Sequence, residues 1–235
     1  MSSRRIGIIG GVGPSATILY YRQIIEGFRK QERKGHHPEI IIYSLDIGEI
    51  NDYFEKEEYD PLCDKLVTAV EGLHGLGCDF ALFSCNTMHV VFDRVQERVQ
   101  IPMINLIESV IDEVKSRQLK TVGLMGTTFV MRGGLYRRPL EELGITCLVP
   151  EEGEQEWIMQ AILKDLQEPL VPESTVRRLL KNIEMLGGSG AEAVILACTD
   201  LPVAINEENS PLGLLDSTGI HIRAVLERAL QASFR

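Results

Sequence analysis

The feature that most constrains this chain is an internal repeat. Gly7-Ile8-Ile9-Gly10 is matched 116 positions later by Gly123-Leu124-Met125-Gly126. Gly77-Cys78-Asp79-Phe80-Ala81-Leu82-Phe83-Ser84-Cys85 is matched 113 positions later by Gly190-Ala191-Glu192-Ala193-Val194-Ile195-Leu196-Ala197-Cys198. In both copies a glycine, a small residue and an acid lead into an apolar run that ends in cysteine. Pro102 and Pro211, 109 positions apart, precede the next apolar runs. An offset that drifts by a few residues is what loop insertions and deletions leave in a doubled unit. Two similar lobes are therefore expected, residues 1–113 and 114–235, with the last helix able to pack back on the first lobe.

Within each copy, short apolar runs alternate with longer amphipathic stretches. Strands are expected at Ile6–Ile9, Ile40–Leu45, Phe80–Phe83 and Met103–Leu106, and again at Thr121–Met125, Ile145–Val149, Ala193–Leu196 and Leu212–Leu215. Helices are expected over Ala16–Lys30, Pro61–Leu76, Val90–Val99, Gln155–Gln167, Ser174–Leu186 (with Ser174 as cap) and Gly219–Gln231. This rhythm specifies an α/β fold with parallel sheets. The expectation is two Rossmann-like lobes related by pseudo-two-fold symmetry, with the active site in the cleft between them.

The repeat carries the chemistry. Cys85 and Cys198 are equivalent points, each where a buried strand meets the next helix. Ligands of open α/β sheets bind at the carboxyl ends of the strands. Two opposed thiols suit inversion at carbon, one removing a proton from one face and the other returning one to the opposite face. A thiol has a reference pKa of about 8.5 and is more acidic at a helix start, so it can serve as acid or base. Asn86, Thr87, Thr199 and Asp200 add amide, hydroxyl and carboxylate groups, and backbone N–H groups there can hold a substrate carboxylate and stabilise enolate-like charge. Cys63, Cys78 and Cys147 lack such matched flanks and are expected as small core residues.

These stretches resemble the aspartate/glutamate racemase family. Residues 6–17 resemble its opening loop, Ser84-Cys85-Asn86-Thr87-Met88-His89 its first cysteine motif, and Ala197-Cys198-Thr199-Asp200 its second. The resemblance implies a racemase independent of pyridoxal phosphate (PLP), with two α/β lobes, Cys85 and Cys198 catalytic, and a homodimeric state. Ala197 and Asp200 stand where Gly and Glu are more usual. Basic residues that clamp the side-chain carboxylate in aspartate-specific members align near Ile50-Asn51 and Glu156-Trp157, and neither pair supplies a cation. An unpaired acid such as Glu156 would repel a second carboxylate, which argues against strict aspartate specificity. The substrate is expected to be aspartate, glutamate or a related amino acid, with glutamate-preferring, broad and non-acidic specificities all left open.

The other motifs are weaker. Gly11-Val12-Gly13-Pro14-Ser15-Ala16 has the GxGxxA form, with Pro14 suited to a first helical position. The acid expected about 20 residues later in a dinucleotide site is absent, so Gly11 and Gly13 are read as a small-anion loop for the substrate. Thr127, in the second copy, is either a substrate contact or an ordinary helix cap. Asp216 at a strand end is a pocket-lining candidate, with Ser217 and Thr218 as helix caps. His89, four residues after Cys85, is read as a packed or supporting histidine.

No metal ligands converge at suitable spacing, and no lysine stands out for a PLP Schiff base; no cofactor is expected. A net charge of −10 disfavours nucleic acid as partner. No apolar run approaches the roughly 20 residues needed to span a bilayer. Five cysteines without CxxC spacing argue against a disulfide framework, and a reduced, cytoplasmic protein is expected. Two other functions fit the same features: a decarboxylase or cis–trans isomerase of small dicarboxylic acids, and a non-catalytic amino-acid-binding protein. A nucleotide-binding oxidoreductase ranks below both.

Overall fold

The computed structural model describes residues 3–30 and 37–231. The chain divides into two compact units, one running to Leu106 and resuming at His221, the other spanning Ile107–Ile220. The first holds β1 (Ile6–Gly10), α1 (Pro14–Lys30), β2 (Ile40–Ser44), α2 (Ile47–Glu55), α3 (Tyr59–Gly75), β3 (Phe80–Phe83), α4 (Phe92–Gln96) and β4 (Met103–Ile104). The elements that follow are α5 (Leu106–Ser116), β5 (Thr121–Gly126), α6 (Thr128–Arg132), α7 (Arg137–Glu142), β6 (Thr146–Leu148), α8 (Glu152–Leu163), α9 (Glu173–Gly188), β7 (Ala193–Ala197), β8 (Gly213–Asp216) and α10 (Ser217–Leu230). No helix among the described residues is long and apolar enough to cross a membrane.

Each unit contains a four-stranded parallel sheet, in the order β2-β1-β3-β4 and β6-β5-β7-β8. The interior strands β1, β3 and β7 are buried at every position. Helices cover both faces, which is why these strands read as continuous apolar runs rather than alternating ones. The registers of the two sheets coincide under the repeat: Gly7 pairs with Ala81, and Gly123 with Val194. The repeated glycine has one physical role in both places. A Cβ on Gly7 would lie 2.8 Å from Leu73 Cδ1, and one on Gly123 would lie 3.0 Å from Leu186 Cδ1. Leu73 and Leu186 are themselves 113 positions apart, so α3 and α9 lie tight on their sheets by the same device.

Packing explains where the sequence expectations stop. Leu82 pairs with Ile104 and Ile195 with Leu215, so Gly213, not Pro211, is the register equivalent of Pro102. The turn built on Asn206, whose Oδ1 accepts from Glu208 N and Asn209 N, precedes that strand. The expected strand over Met103–Leu106 is only two residues long, because Leu106 starts α5. The expected helix Val90–Val99 is a 3₁₀ turn at Thr87–Val91 followed by the five-residue α4. Ser174 is not a cap: α9 begins at Glu173 behind Pro172, whose carbonyl accepts from Thr175 N and Val176 N.

α10 is anchored in the first unit from His221 onward. Ile222, Val225 and Ala229 join Ile6, Ile8, Tyr20, Ile24 and Phe28 in one apolar cluster. His221 Nε2 donates to the Ile104 carbonyl (3.1 Å), so Nδ1 accepts from the Tyr20 hydroxyl (2.8 Å). Burial, helped by the neighbouring His89, pushes the His221 pKa down to about 3.

Two outcomes follow from this architecture. With its native pKa below the unfolded 6.5, neutral His221 contributes stability that is full above pH 6.5 and lost as pH falls toward 3, of order 4 kcal/mol in total. Urea unfolding at neutral and acidic pH should show this loss, and His221→Gln should flatten it. Gly11 has φ +90°, and an added Cβ would sit 2.2 Å from the Leu45 carbonyl oxygen. Gly11→Ala should therefore cost roughly 2 kcal/mol or more, read as a lowered Tm.

Candidate active site

The sheet registers decide which side chains reach the carboxyl edges. In the first unit Ile9 pairs with Phe83, so Gly11 and Cys85 each lie two residues beyond a paired position on neighbouring strands. In the second, Gly126 pairs with Ala197, so Thr127 and Cys198 are the next residues of neighbouring strands. Both cysteines lead into a 3₁₀ turn, Thr87–Val91 after Cys85 and Leu201–Val203 after Cys198.

Cys85 is half-buried. Burial pushes its thiol pKa above the ordinary value. Backbone N–H groups of Met88 and Thr87 and the Thr87 hydroxyl donate to the sulfur and pull it back down. These donors are the unpaired amides that any helix start presents. His89 closes the turn from behind, its Nδ1–H donating to the Cys85 carbonyl (2.9 Å) and its Nε2 accepting from Leu106 N (3.1 Å). Asn86 is buried, and its carbonyl accepts from His89 N (3.0 Å). Beneath Cys85, Thr17 Oγ1 accepts from Gly11 N (2.9 Å) and shares a hydrogen bond with Ser84 Oγ (3.2 Å). Gly11 therefore spends its amide on the fold, whereas a Cβ on Gly13 would meet nothing within 4 Å.

Cys198 is buried, with Thr199 and Asp200 half-buried beside it. Its Sγ–H donates to Asp200 Oδ2 at 3.8 Å, a long sulfur hydrogen bond, so aspartate is long enough here to reach the thiol. Burial raises the Asp200 pKa, against hydrogen bonds from Gln167 and Cys198 that lower it. Thr127 is a helix cap, its Oγ1 accepting from Val130 N (3.3 Å). That bond leaves the hydroxyl proton for donation.

Asp216 Oδ1 accepts from Thr218 N (3.0 Å), so Asp216, and not Ser217 or Thr218, caps α10. Ser217 Oγ instead donates to the Leu196 carbonyl (2.8 Å). The fully buried Tyr136 hydrogen-bonds to Ser217 near Asp216, and burial raises its pKa. Neither Tyr136 nor Gln167 stands out in the sequence. Tyr136 lies between two short helices without a clear periodicity, and Gln167 ends a 3₁₀ turn.

Cys63, Cys78 and Cys147 are buried, and burial raises the Cys78 and Cys147 thiols to about 11. Glu156 is not unpaired: Arg132 Nη2 lies 3.4 Å from its carboxylate and 3.6 Å from that of Glu152. The neighbouring Trp157 is covered by the Arg178 guanidinium, 4.3 Å from the ring centroid. Ile50 is fully buried in the core, so it presents nothing to a ligand. Among the described residues no group of three or more His, Cys, Asp or Glu side chains is placed to hold a metal ion.

The sequence profile of the Asp/Glu/Hydantoin racemase family matches residues 9–225. The broad specificity amino-acid racemase RacX of Bacillus subtilis (strain 168) is 24% identical over 216 residues, covering 91% of this chain and 92% of its own. A crystal structure of a candidate Asp/Glu racemase from Yersinia pestis superposes with a TM-score of 0.91 at 28% identity, over 97% of this chain and 100% of that one. An aspartate racemase homologue from Pyrococcus horikoshii OT3 gives a TM-score of 0.85 at 34% identity, over 96% and 99%. A profile match spanning both cysteine turns, with the whole fold shared, establishes that this chain belongs to the Asp/Glu/Hydantoin racemase family and is an isomerase acting on amino acids.

Proposed function

We propose that the protein inverts the α-carbon of aspartate, glutamate or a related amino acid by a two-thiol proton transfer that needs no cofactor. The observation that carries this reading is the register equivalence of Cys85 and Cys198. Both follow interior strands of sheets with the same topology, and both open a 3₁₀ turn. Inversion requires a base on one face of the carbon and an acid on the other. One cysteine, as thiolate, takes the α-hydrogen as a proton and becomes a thiol. The electron pair left on carbon spreads into the carboxylate as an enolate-like dianion. The second thiol then delivers its proton to the opposite face and is left as thiolate. The net change is inversion, and the charges on the two sulfurs have exchanged.

Asn86, Thr87 and Thr199 hold the substrate carboxylate in this reading. Gly13 lets the loop approach it closely, with Gly11 setting the loop's path and Thr127 a further hydroxyl. The turn amides that donate to Cys85 offset part of the burial that raises its pKa, and Asp200 accepts from the Cys198 thiol. Each cysteine is base for one enantiomer and acid for the other. The working form is a homodimer, as the family resemblance implies, which sedimentation equilibrium at twice the chain mass would check.

Racemisation of L- and D-aspartate, glutamate and a panel of neutral and basic amino acids, followed by chiral chromatography without added cofactor, tests the reading. Cys85→Ser and Cys198→Ser should each lower turnover on the order of 10²–10⁴-fold. Full activity in either variant would contradict the two-thiol assignment. Turnover of a dicarboxylic acid, or binding without turnover, would instead favour the isomerase–decarboxylase or the binding-protein function. Gly13→Ala should stay within about 0.5 kcal/mol of the parent in stability. It should raise KM, because the added methyl fills space left for the substrate.

A further inference from the structure

We infer that His89 is the positioning residue for the Cys85 thiol: it ties the Cys85 turn to the start of α5 and so aims the turn's amides at the sulfur. The inference rests on the reading of Cys85 as an acid–base group. His89 is held on every side. Its backbone N–H donates to Asn86 O (3.0 Å), Nδ1–H donates to Cys85 O (2.9 Å), and Nε2 accepts from Leu106 N (3.1 Å). The ring stacks on Phe92 at 5.2 Å with the planes 3° apart, and meets Phe83 edge-on at 5.6 Å. The contacts fix the tautomer, because a carbonyl only accepts and an amide only donates. One side chain thus satisfies the carbonyl behind the sulfur and the first amide of α5, just beyond Asn105.

The consequence for the thiol is geometric. Thr87 and Met88, whose amides donate to Cys85 Sγ, lie between the two residues that His89 joins. Without the Nδ1–H bond the Cys85 carbonyl is left unsatisfied, and the turn can rotate to find another donor, taking those amides off the sulfur. His89 does this without charge, since burial pushes its pKa down to about 4. Cys85 and His221 are titratable groups packed on it, the latter 6.2 Å away ring to ring and itself bonded to Tyr20. The second unit lacks this device, since Pro202 holds the position that corresponds to His89 under the 113-residue repeat.

The test is the pH profile of iodoacetamide alkylation at Cys85, resolved by peptide mass spectrometry on the intact protein without substrate. His89→Leu should move the Cys85 profile to higher pH by about one unit, equivalent to about tenfold slower alkylation at neutral pH. Its kcat should fall by a similar factor while KM changes little. His89→Gln, which keeps a donor and an acceptor, should lie between. His221→Gln removes an equally buried histidine that does not touch Cys85 and should leave the profile in place. An unchanged profile in folded His89→Leu, or an equal shift in His221→Gln, would overturn the inference. If the His89 variants do not fold, ¹⁵N NMR of the wild-type histidines decides it: His89 must be neutral and protonated on Nδ1, and the Nε2–H tautomer would refute it. Racemisation by Cys85→Ser would sink the catalytic reading alone, because the alkylation profile tests His89 whether or not Cys85 is catalytic.

Discussion

Everything in this structure depends on parallel strand pairing with both faces covered. A parallel strand buried on both faces has only its ends in contact with water. Chemistry is thereby confined to the turns where the strands stop. Register then fixes which residues share that edge. In the first unit Gly11 and Cys85 are level, and in the second Thr127 and Cys198, following the pairings of Ile9 with Phe83 and Gly126 with Ala197; Asn105 and Asp216 stand two positions earlier, level with Phe83 and Leu196. A one-residue slip would put Ser84 or Ala197 at the turn and bury the thiol within the strand.

The two units share this frame and differ in how they finish it. Behind Cys85 a neutral histidine satisfies a carbonyl and an amide of two neighbouring turns. Behind Cys198 the corresponding junction is held by the Ser217 hydroxyl on the Leu196 carbonyl, with buried Tyr136 bonded to Ser217. The partners seen at the sulfurs differ: the Thr87 and Met88 amides donate to Cys85, and the Asp200 carboxylate accepts from Cys198.

The sequence made the frame legible because the constraint on it is periodic and local. Continuous apolar runs marked the interior strands, and the matched Gly7 and Gly123 marked where a helix must lie close to the sheet. The cysteine turns were legible for the same reason, as the residues that end those runs. What stayed hidden depends on contacts far apart in sequence. The α2 helix buries only Ile50, so no stripe announces it, and α6 and α7 are five and six residues long. Glu156 reads as an unpaired acid until Arg132, 24 positions away, is folded against it. His89 is conspicuous four residues after Cys85, but its partner Leu106 N is 17 positions on, and no local pattern encodes that bond. The cap at Asp216 is ambiguous in sequence because three residues in a row have side chains able to cap a helix.

The central claim is that two different thiols handle the α-hydrogen, and its most direct measurement is early-turnover isotope incorporation in D₂O. Unlabelled L-substrate is mixed with the protein, and both enantiomers are analysed by mass spectrometry before appreciable reversal. Two thiols on opposite faces predict that the D-product carries one α-deuterium from the first turnovers, while recovered L-substrate remains unlabelled. α-Protium retained in the product, or equal labelling of both enantiomers from the outset, would mean that a single base serves both faces and would contradict the assignment of Cys85 and Cys198 as an opposed pair.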